Sequence, residues 1–230
     1  MKGKNAIITG CSRGIGLETV KALLNMDWSV YALSRDARSL KDLAGEKPRL
    51  QVFETDICDA ARLDQSIDSL KEKLSKVDLL VHNAGALMHK PFYKTTTEDF
   101  MEIYKVNVFA VAELTRKLLP LLKQGSHVLA IGSVGGVQGS VKFAGLSAYS
   151  SSKGALITLM ELLAEEYKEK GIHFNTLALG AVQTEMLKTA FPDYQAPTSA
   201  EEMGLYVAQF GAQQGHMFNG KIIEVSNSTP

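Results

Sequence analysis

Apolar residues along this chain fall into two alternating patterns: short continuous runs, and longer stretches in which they recur three and four positions apart. The first pattern predicts strands buried on both faces, as in a parallel sheet, and the second predicts amphipathic helices. Ala6, Ile7 and Ile8 make the first run, and residues 14–26 the first helix. Residues 29–33 (SVYAL) are a second strand, followed by a short polar helix and a third strand at 50–54. A helix over 60–75 carries Leu63, Ile67, Leu70 and Leu74 at helical spacing, and residues 77–81 (VDLLV) are the fourth strand. Thr97 is expected to cap a long helix reaching about Lys123, with Pro120 marking a kink or its last turn. Residues 127–131, 172–179 and 221–225 are the remaining strands, with helices at 147–170 and 200–213 between them.

The first three strands and their helices make a βαβαβ unit, and no linker rich in Pro, Gly or Ser interrupts the rest of the chain. The expectation is one α/β domain over 1–230: a doubly wound sheet of seven parallel strands with helices on both faces. Two stretches break the alternation, the glycine-rich 134–146 and 186–197, which holds Phe191, Pro192, Tyr194 and Pro197. Each follows the carboxyl end of a strand, the edge at which open α/β sheets bind ligands, so they are the expected walls of a cleft. The plainer reading is surface loops.

Composition narrows the function classes. At 45% hydrophobic and 22% charged residues with zero formal net charge, the chain matches a soluble globular protein and lacks a nucleic-acid footprint. Cys11 and Cys58 are the only cysteines, which predicts free thiols in a reduced, cytoplasmic setting. They read as small buried filler or as thiols whose oxidation blocks the neighbouring site. The five histidines, at 82, 89, 127, 173 and 216, show no ligand spacing, so no metal is expected. Met1-Lys2-Gly3-Lys4 leads directly into the first strand with no secretory leader pattern, and no apolar run approaches a membrane span of roughly 18 residues.

Candidate chemistry begins at Thr9-Gly10-Cys11-Ser12-Arg13-Gly14-Ile15-Gly16, a TGxxxGxG turn between the first strand and the first helix. Free backbone N–H groups and the positive end of a helix dipole attract a pyrophosphate there, and glycines allow the backbone to come close. Glycines also end ordinary strands, so the turn needs company. Tyr149 and Lys153 lie four apart at the start of a predicted helix, on one face. A lysine cation about 4 Å away, at an effective dielectric near 20, favours a phenolate by about 4 kcal/mol, or roughly 3 pK units. That predicts a lowered Tyr149 pKa. Ser133 follows the fifth strand, Asn107 lies within the long crossover after the fourth, and His82-Asn83-Ala84-Gly85 ends the fourth. Alone, these read as a turn residue, a helix residue and a packed turn.

Together, in this order, these residues make the chain resemble the short-chain dehydrogenase/reductase family over nearly its full length. The matching residues are TGCSRGIG at 9–16, Asp56-Ile57, Asn83-Ala84-Gly85, Asn107, Ser133, Tyr149, Lys153, and Gly180 with Thr184. The resemblance implies a Rossmann sheet of strand order 3-2-1-4-5-6-7 and reduction of a ketone or aldehyde to an alcohol, or the reverse. It also implies roles: Tyr149 as general acid or base, Ser133 polarising the carbonyl, Lys153 lowering the tyrosine pKa and binding the nicotinamide ribose, and Asn107 positioning a water. Cofactor contacts are implied for Gly10, Ser12, Arg13, Gly14, Ile15, Gly16, Ser34, Arg35, Asp56, Ile57, Asn83, Ala84, Gly85, Tyr149, Lys153, Gly180, Val182 and Thr184. NAD-binding members carry an acidic residue where this chain has Ser34. With Arg35 next and Arg13 in the turn, the expected cofactor is NADP(H), preferred roughly a hundredfold or more if each guanidinium makes a charge-assisted contact. Alternatively, Arg35 pairs with Asp36 and Arg13 is solvated.

Departures from the family pattern are Leu179 where a proline is usual, His82 for the first Asn of its NNAG turn, a longer run from Ser133 to Tyr149, and the ending VSNSTP. The apolar surplus of helices 97–123 and 147–170, which includes Phe109 and Leu162, reads as a subunit interface of a homodimer or tetramer, or as a thick core. Two other functions compete: a non-catalytic NADPH-binding sensor, against which the intact Asn107, Ser133, Tyr149 and Lys153 set argues, and a sugar-nucleotide epimerase or dehydratase, which calls for GxxGxxG and a longer carboxyl-terminal region.

Overall fold

Adjacent residues of each central strand supply opposite layers of the core, which is why the strands read as unbroken apolar runs. In the computed structural model, which describes residues 3–226, β1 (Asn5–Thr9) passes through the glycine turn into α1 (Gly14–Asn25). Next along the chain are β2 (Ser29–Ser34), α2 (Arg38–Glu46), β3 (Leu50–Glu54), α3 (Ala60–Lys73) and β4 (Val77–His82). A long crossover of α4 (Thr97–Tyr104), a π-helical turn (Lys105–Phe109) and α5 (Ala110–Leu118) returns the chain to β5 (Leu122–Ser133). Then come α6 (Ser147–Glu166), β6 (His173–Leu179), β7 (Val182–Gln183), α7 (Glu185–Ala190), β8 (Thr198–Ser199), α8 (Ala200–Gln209) and β9 (Lys221–Val225). The main sheet has seven parallel strands in the order β3-β2-β1-β4-β5-β6-β9, the order implied by the resemblance with β9 as the seventh.

Ile8, Leu79 and Leu129 face Val20, Leu23 and Val207 of α1 and α8. Their neighbours Ile7, Leu80 and Val128 face Leu63, Leu114, Leu156 and Phe174 on the other side. Helices therefore cover both faces, and only the carboxyl edge of the sheet is left for a ligand.

Several boundaries differ from the sequence reading. The crossover helix is capped by Thr96, not Thr97, because Asp99 three residues on completes a reciprocal box: Thr96 Oγ1 accepts from Asp99 N and Asp99 Oδ2 accepts from Thr96 N. Pro120 lies in a tight 3-10 turn, Leu119–Leu121, that ends this helix before Lys123. Strand β5 starts five residues early because Ser126 Oγ donates to Val77 O and accepts from Lys123 N, pinning a bulge against β4. The helices expected at 147–170 and 200–213 end in a 3-10 turn, Lys168–Lys170, and a π turn, Phe210–Gln214. Helix α7 occupies most of the first half of the stretch 186–197 read as irregular, and the β7-β8 pair flanks that stretch. Met1, Lys2 and the last four residues of VSNSTP lie outside the described residues, as do the expectations resting on them. Among the described residues, no helix is long and apolar enough to cross a membrane.

His82, the departure at the end of β4, is buried, with Nε2 2.8 Å from Thr115 Oγ1 and Nδ1 without a partner. Burial pushes its pKa down to about 3 from the usual 6.5. Between these values the unfolded chain binds a proton that the folded one does not, so this residue lowers stability as pH falls from 6.5 towards 3. Urea midpoints measured across that range should fall for the natural chain, and fall less steeply for His82→Asn.

Candidate active site

The turns after β1 and β4 are built as one unit. Thr9 Oγ1 accepts from the backbone N–H of Asn83 and of Ala84, both at 3.1 Å. In return Asn83 Nδ2 donates to Thr9 O (3.1 Å) and Gly10 O (2.8 Å). Gly10 has φ +64, and a Cβ on it would stand 2.6 Å from Ala84 Cα, so no other residue lets the two turns meet this closely. The first turn of α1 has no side-chain cap and no acidic residue, leaving its N–H groups free to hold an anion. A dinucleotide pyrophosphate therefore fits this cradle.

A cleft of about 1150 Å³ opens along the carboxyl edge. Gly10, Ser12, Arg13, Gly14 and Ile15 line it beside β1, and Ser34, Arg35, Asp56 and Ile57 line it beyond β2 and β3. Asn83, Ala84 and Gly85 form its middle. Ser133, Tyr149 and Lys153 close it, with Gly180, Val182 and Thr184 opposite. Two expected site residues do not line the cleft. A Cβ on Gly16 would stand 2.4 Å from Asn83 Nδ2, so Gly16 serves the contact between the turns. Asn107 is fully buried in the π turn, where Oδ1 accepts from Ala86 N (2.8 Å) and Nδ2 donates to Ala86 O (2.9 Å) and Ser152 Oγ (2.9 Å). Its amide holds Ala86 and α6 in place, and the Nδ2 donors are not left for a water.

Ser133 ends β5 and Tyr149 lies in the first turn of α6. They approach because the turn after Ser133 packs directly on that helix: a Cβ on Gly136 would come within 2.8 Å of Lys153 backbone. The Ser133 hydroxyl neighbours the Tyr149 phenol and accepts from Gly135 N at 3.3 Å. Lys153 is buried, donates from Nζ to Ile131 O at 2.8 Å, and lies 5.8 Å from the Tyr149 ring centre. The expected lowering of the Tyr149 pKa is not what this arrangement yields. Burial raises the phenol above its usual 10, and the Ser133 hydroxyl only partly offsets that. Burial acts on Lys153 as well, pushing it down to about 8, with Nζ held at Ile131 O.

At the other end Asp36 pairs with Arg38, not with Arg35, at 2.7 Å, and that guanidinium holds its carboxyl down at about 2. Arg13 is not merely solvated: its Nη1 meets Glu185 Oε2 at 2.7 Å. Cys11 is sealed in the core beneath the turn, its thiol pushed up to about 12 by burial, which suits filler and not a redox switch. Cys58 lines the cleft, and burial followed by the Asp56 charge pushes its thiol up too.

Both stretches expected as walls do face the cleft, through Phe143 and Leu146 and through Met186, Leu187, Phe191 and Tyr194. Sequence reading missed Leu87, which lines the same end, and His89, whose ring lies 4.7 Å from that of Phe191 and packs against Gly145 (φ +82). No spacing rule marks a histidine that props two loops together. Among the described residues no group of His, Cys, Asp and Glu could hold a metal ion.

A family model described as short chain dehydrogenase matches residues 4–195. The chain is similar to carbonyl reductase (NADPH) 2 of Sus scrofa, 30% identical over 200 residues that cover 87% of this chain and 80% of that protein. Its structure is similar to that of a short chain dehydrogenase from Burkholderia cenocepacia J2315 in complex with NADP, with TM-score 0.88 and 25% identity over 98% of this chain and 97% of the other. A 3-ketoacyl-(acyl-carrier-protein) reductase from Brucella melitensis complexed with NADH gives TM-score 0.86 and 27% identity over 97% and 96%.

Removing the Asn107 amide leaves the Ala86 backbone without buried partners, a loss of about 1–3 kcal/mol for each unpaired group. Asn107→Ala should lower thermal stability accordingly. Asn107→Asp, which keeps the acceptor but sets a carboxylate oxygen against Ala86 O in a buried place, should lower it at least as far in the same calorimetric scan.

Proposed function

The chain belongs to the short chain dehydrogenase family and is an oxidoreductase of it, and from that premise we propose an NADPH-dependent reductase of ketones or aldehydes, reversible towards the alcohol. The observation that carries this reading is the meeting of Ser133 and Tyr149 in the cleft, with Lys153 one helical turn on, at the end away from the arginines. Ser133 would hold the carbonyl oxygen and Tyr149 would give it a proton as negative charge develops there. A phenol kept protonated by burial is an acid at neutral pH, which favours the reductive direction. A bound nicotinamide nucleotide supplies the hydride. Lys153, with its pKa near 8, can hold or release a proton beside Tyr149 and bind the ribose. Asn107 acts as a positioning residue through Ala86 and Ser152.

NADPH is favoured over NADH because no carboxylate stands at Ser34, Asp36 is neutralised by Arg38, and Arg35 and Arg13 both face the cleft. The NADP complex of the Burkholderia protein and the NADPH in the name of the Sus scrofa relative support this. The NADH complex of the Brucella protein makes direct titration of both nucleotides necessary. Phe143, Leu146, Met186, Phe191 and Tyr194 suit a substrate with an apolar body. We also propose a cytoplasmic homo-oligomer: both cysteines are free, and Phe109 and Leu162 stand 54% and 63% exposed on the crossover helices.

With ketones, aldehydes and quinones screened for NADPH oxidation, Tyr149→Phe should lower turnover by about 10²- to 10⁴-fold and leave NADPH binding nearly intact. Lys153→Met should weaken both. Alcohol oxidation, which needs the phenolate, should rise with pH while reduction does not; full activity in Tyr149→Phe would refute the mechanism. For assembly, light scattering after gel filtration should give a mass above 25.0 kDa for the natural chain, and the double variant Phe109→Glu, Leu162→Glu should run as a monomer.

A further inference from the structure

We infer that Glu185 sets how strongly this protein discriminates between phosphorylated and unphosphorylated adenosine nucleotides, by competing with the 2′-phosphate for Arg13. The inference rests on the NADPH reading above. Arg13 immediately precedes α1, and Glu185 is the first residue of α7 on the opposite lip of the cleft. Their side chains meet at 2.7 Å and remain 69% and 68% exposed, so the pair is accessible to solvent and exchangeable. Next to it the lips touch again, where Thr184 Cγ2 lies 3.5 Å from the place a Gly14 Cβ would occupy. Both Arg13 and Glu185 line the cleft.

Of the two arginines assigned to the phosphate, only Arg13 is engaged by a carboxylate among the described residues, since Asp36 is taken by Arg38. A phosphate monoester presents anionic oxygens that accept from a guanidinium as Glu185 Oε2 does now from Arg13 Nη1, and a guanidinium facing one has fewer N–H groups for the other. Binding a 2′-phosphate must therefore draw Arg13 away from Glu185 or share it, whereas a nucleotide with a free 2′-hydroxyl leaves the pair undisturbed. Glu185 thus narrows the preference that the two arginines create. The same exchange frees the start of α7 from the glycine turn, so the lip carrying Met186 and Phe191 is tied down more firmly when no 2′-phosphate is present.

The test is calorimetric titration of NADP⁺ and NAD⁺ into the natural chain, Glu185→Gln, Arg13→Gln and the double variant, with the ratio of the two affinities as readout. Because the ratio is taken on each protein, any general change in the lip cancels. Glu185→Gln should raise the NADP⁺:NAD⁺ ratio by about two- to fivefold, the range of exposed ion pairs, and less at high ionic strength. The increase should vanish on the Arg13→Gln background. An unchanged ratio in Glu185→Gln, or an equal rise with and without Arg13, overturns the inference while the NADPH reading stands. If Arg13→Gln by itself does not lower the ratio, the assignment of Arg13 to the phosphate fails, and the inference with it.

Discussion

One hydroxyl, that of Thr9, joins the end of β1 to the end of β4, and the site depends on that junction. From it a polar chain runs through the molecule. Thr9 holds Asn83 and Ala84; two residues on, Ala86 is held at both backbone groups by Asn107; Asn107 reaches Ser152; and Ser152 donates to the carbonyl of Tyr149 at 2.7 Å. The cradle at one end of the cleft and the backbone of Tyr149 at the other are thus fixed relative to each other by short, partly buried bonds. Preorganisation of this kind allows a proton donor to wait where charge will develop without further rearrangement.

Burial then sets the charge of that donor and of its neighbour. Tyr149 and Lys153 respond to the same desolvation in opposite directions, the phenol upwards and the amine downwards, and in both cases the neutral form gains. At neutral pH the phenol stays protonated, while Lys153 still carries its proton most of the time and rests it on Ile131 O. A simple Coulomb estimate misses this because it assigns burial no cost.

The main sheet is legible in the sequence because each central strand is a short run apolar on two faces. The cleft walls are legible from the breaks in that alternation. Features decided by a single contact are not: Asp99 moves the cap from Thr97 to Thr96, and Ser126 draws β5 back to Leu122. The two-residue strands β7 and β8 carry too few positions for any period to register. Gly16 and Asn107 show a different limit. Their places in the motif are plain from the sequence, yet both work one layer behind the cleft, Gly16 against Asn83 and Asn107 against Ala86. A motif records which residues a site requires and is silent on which of them touch the ligand.

The π turn at Lys105–Phe109 divides one crossover between two duties. Before it, Glu102 faces the cleft; after it, Val111, Leu114 and Leu118 face the core. A π turn amounts to one residue more than an α-helix needs over the same rise, and each residue of an α-helix advances about 100°. Deleting a single codon here would leave the flanking helices, and Leu114, in their layers, but would remove the widened turn in which Asn107 reaches Ala86 and Ser152. In this chain, length across those five positions is under the same constraint as side-chain identity.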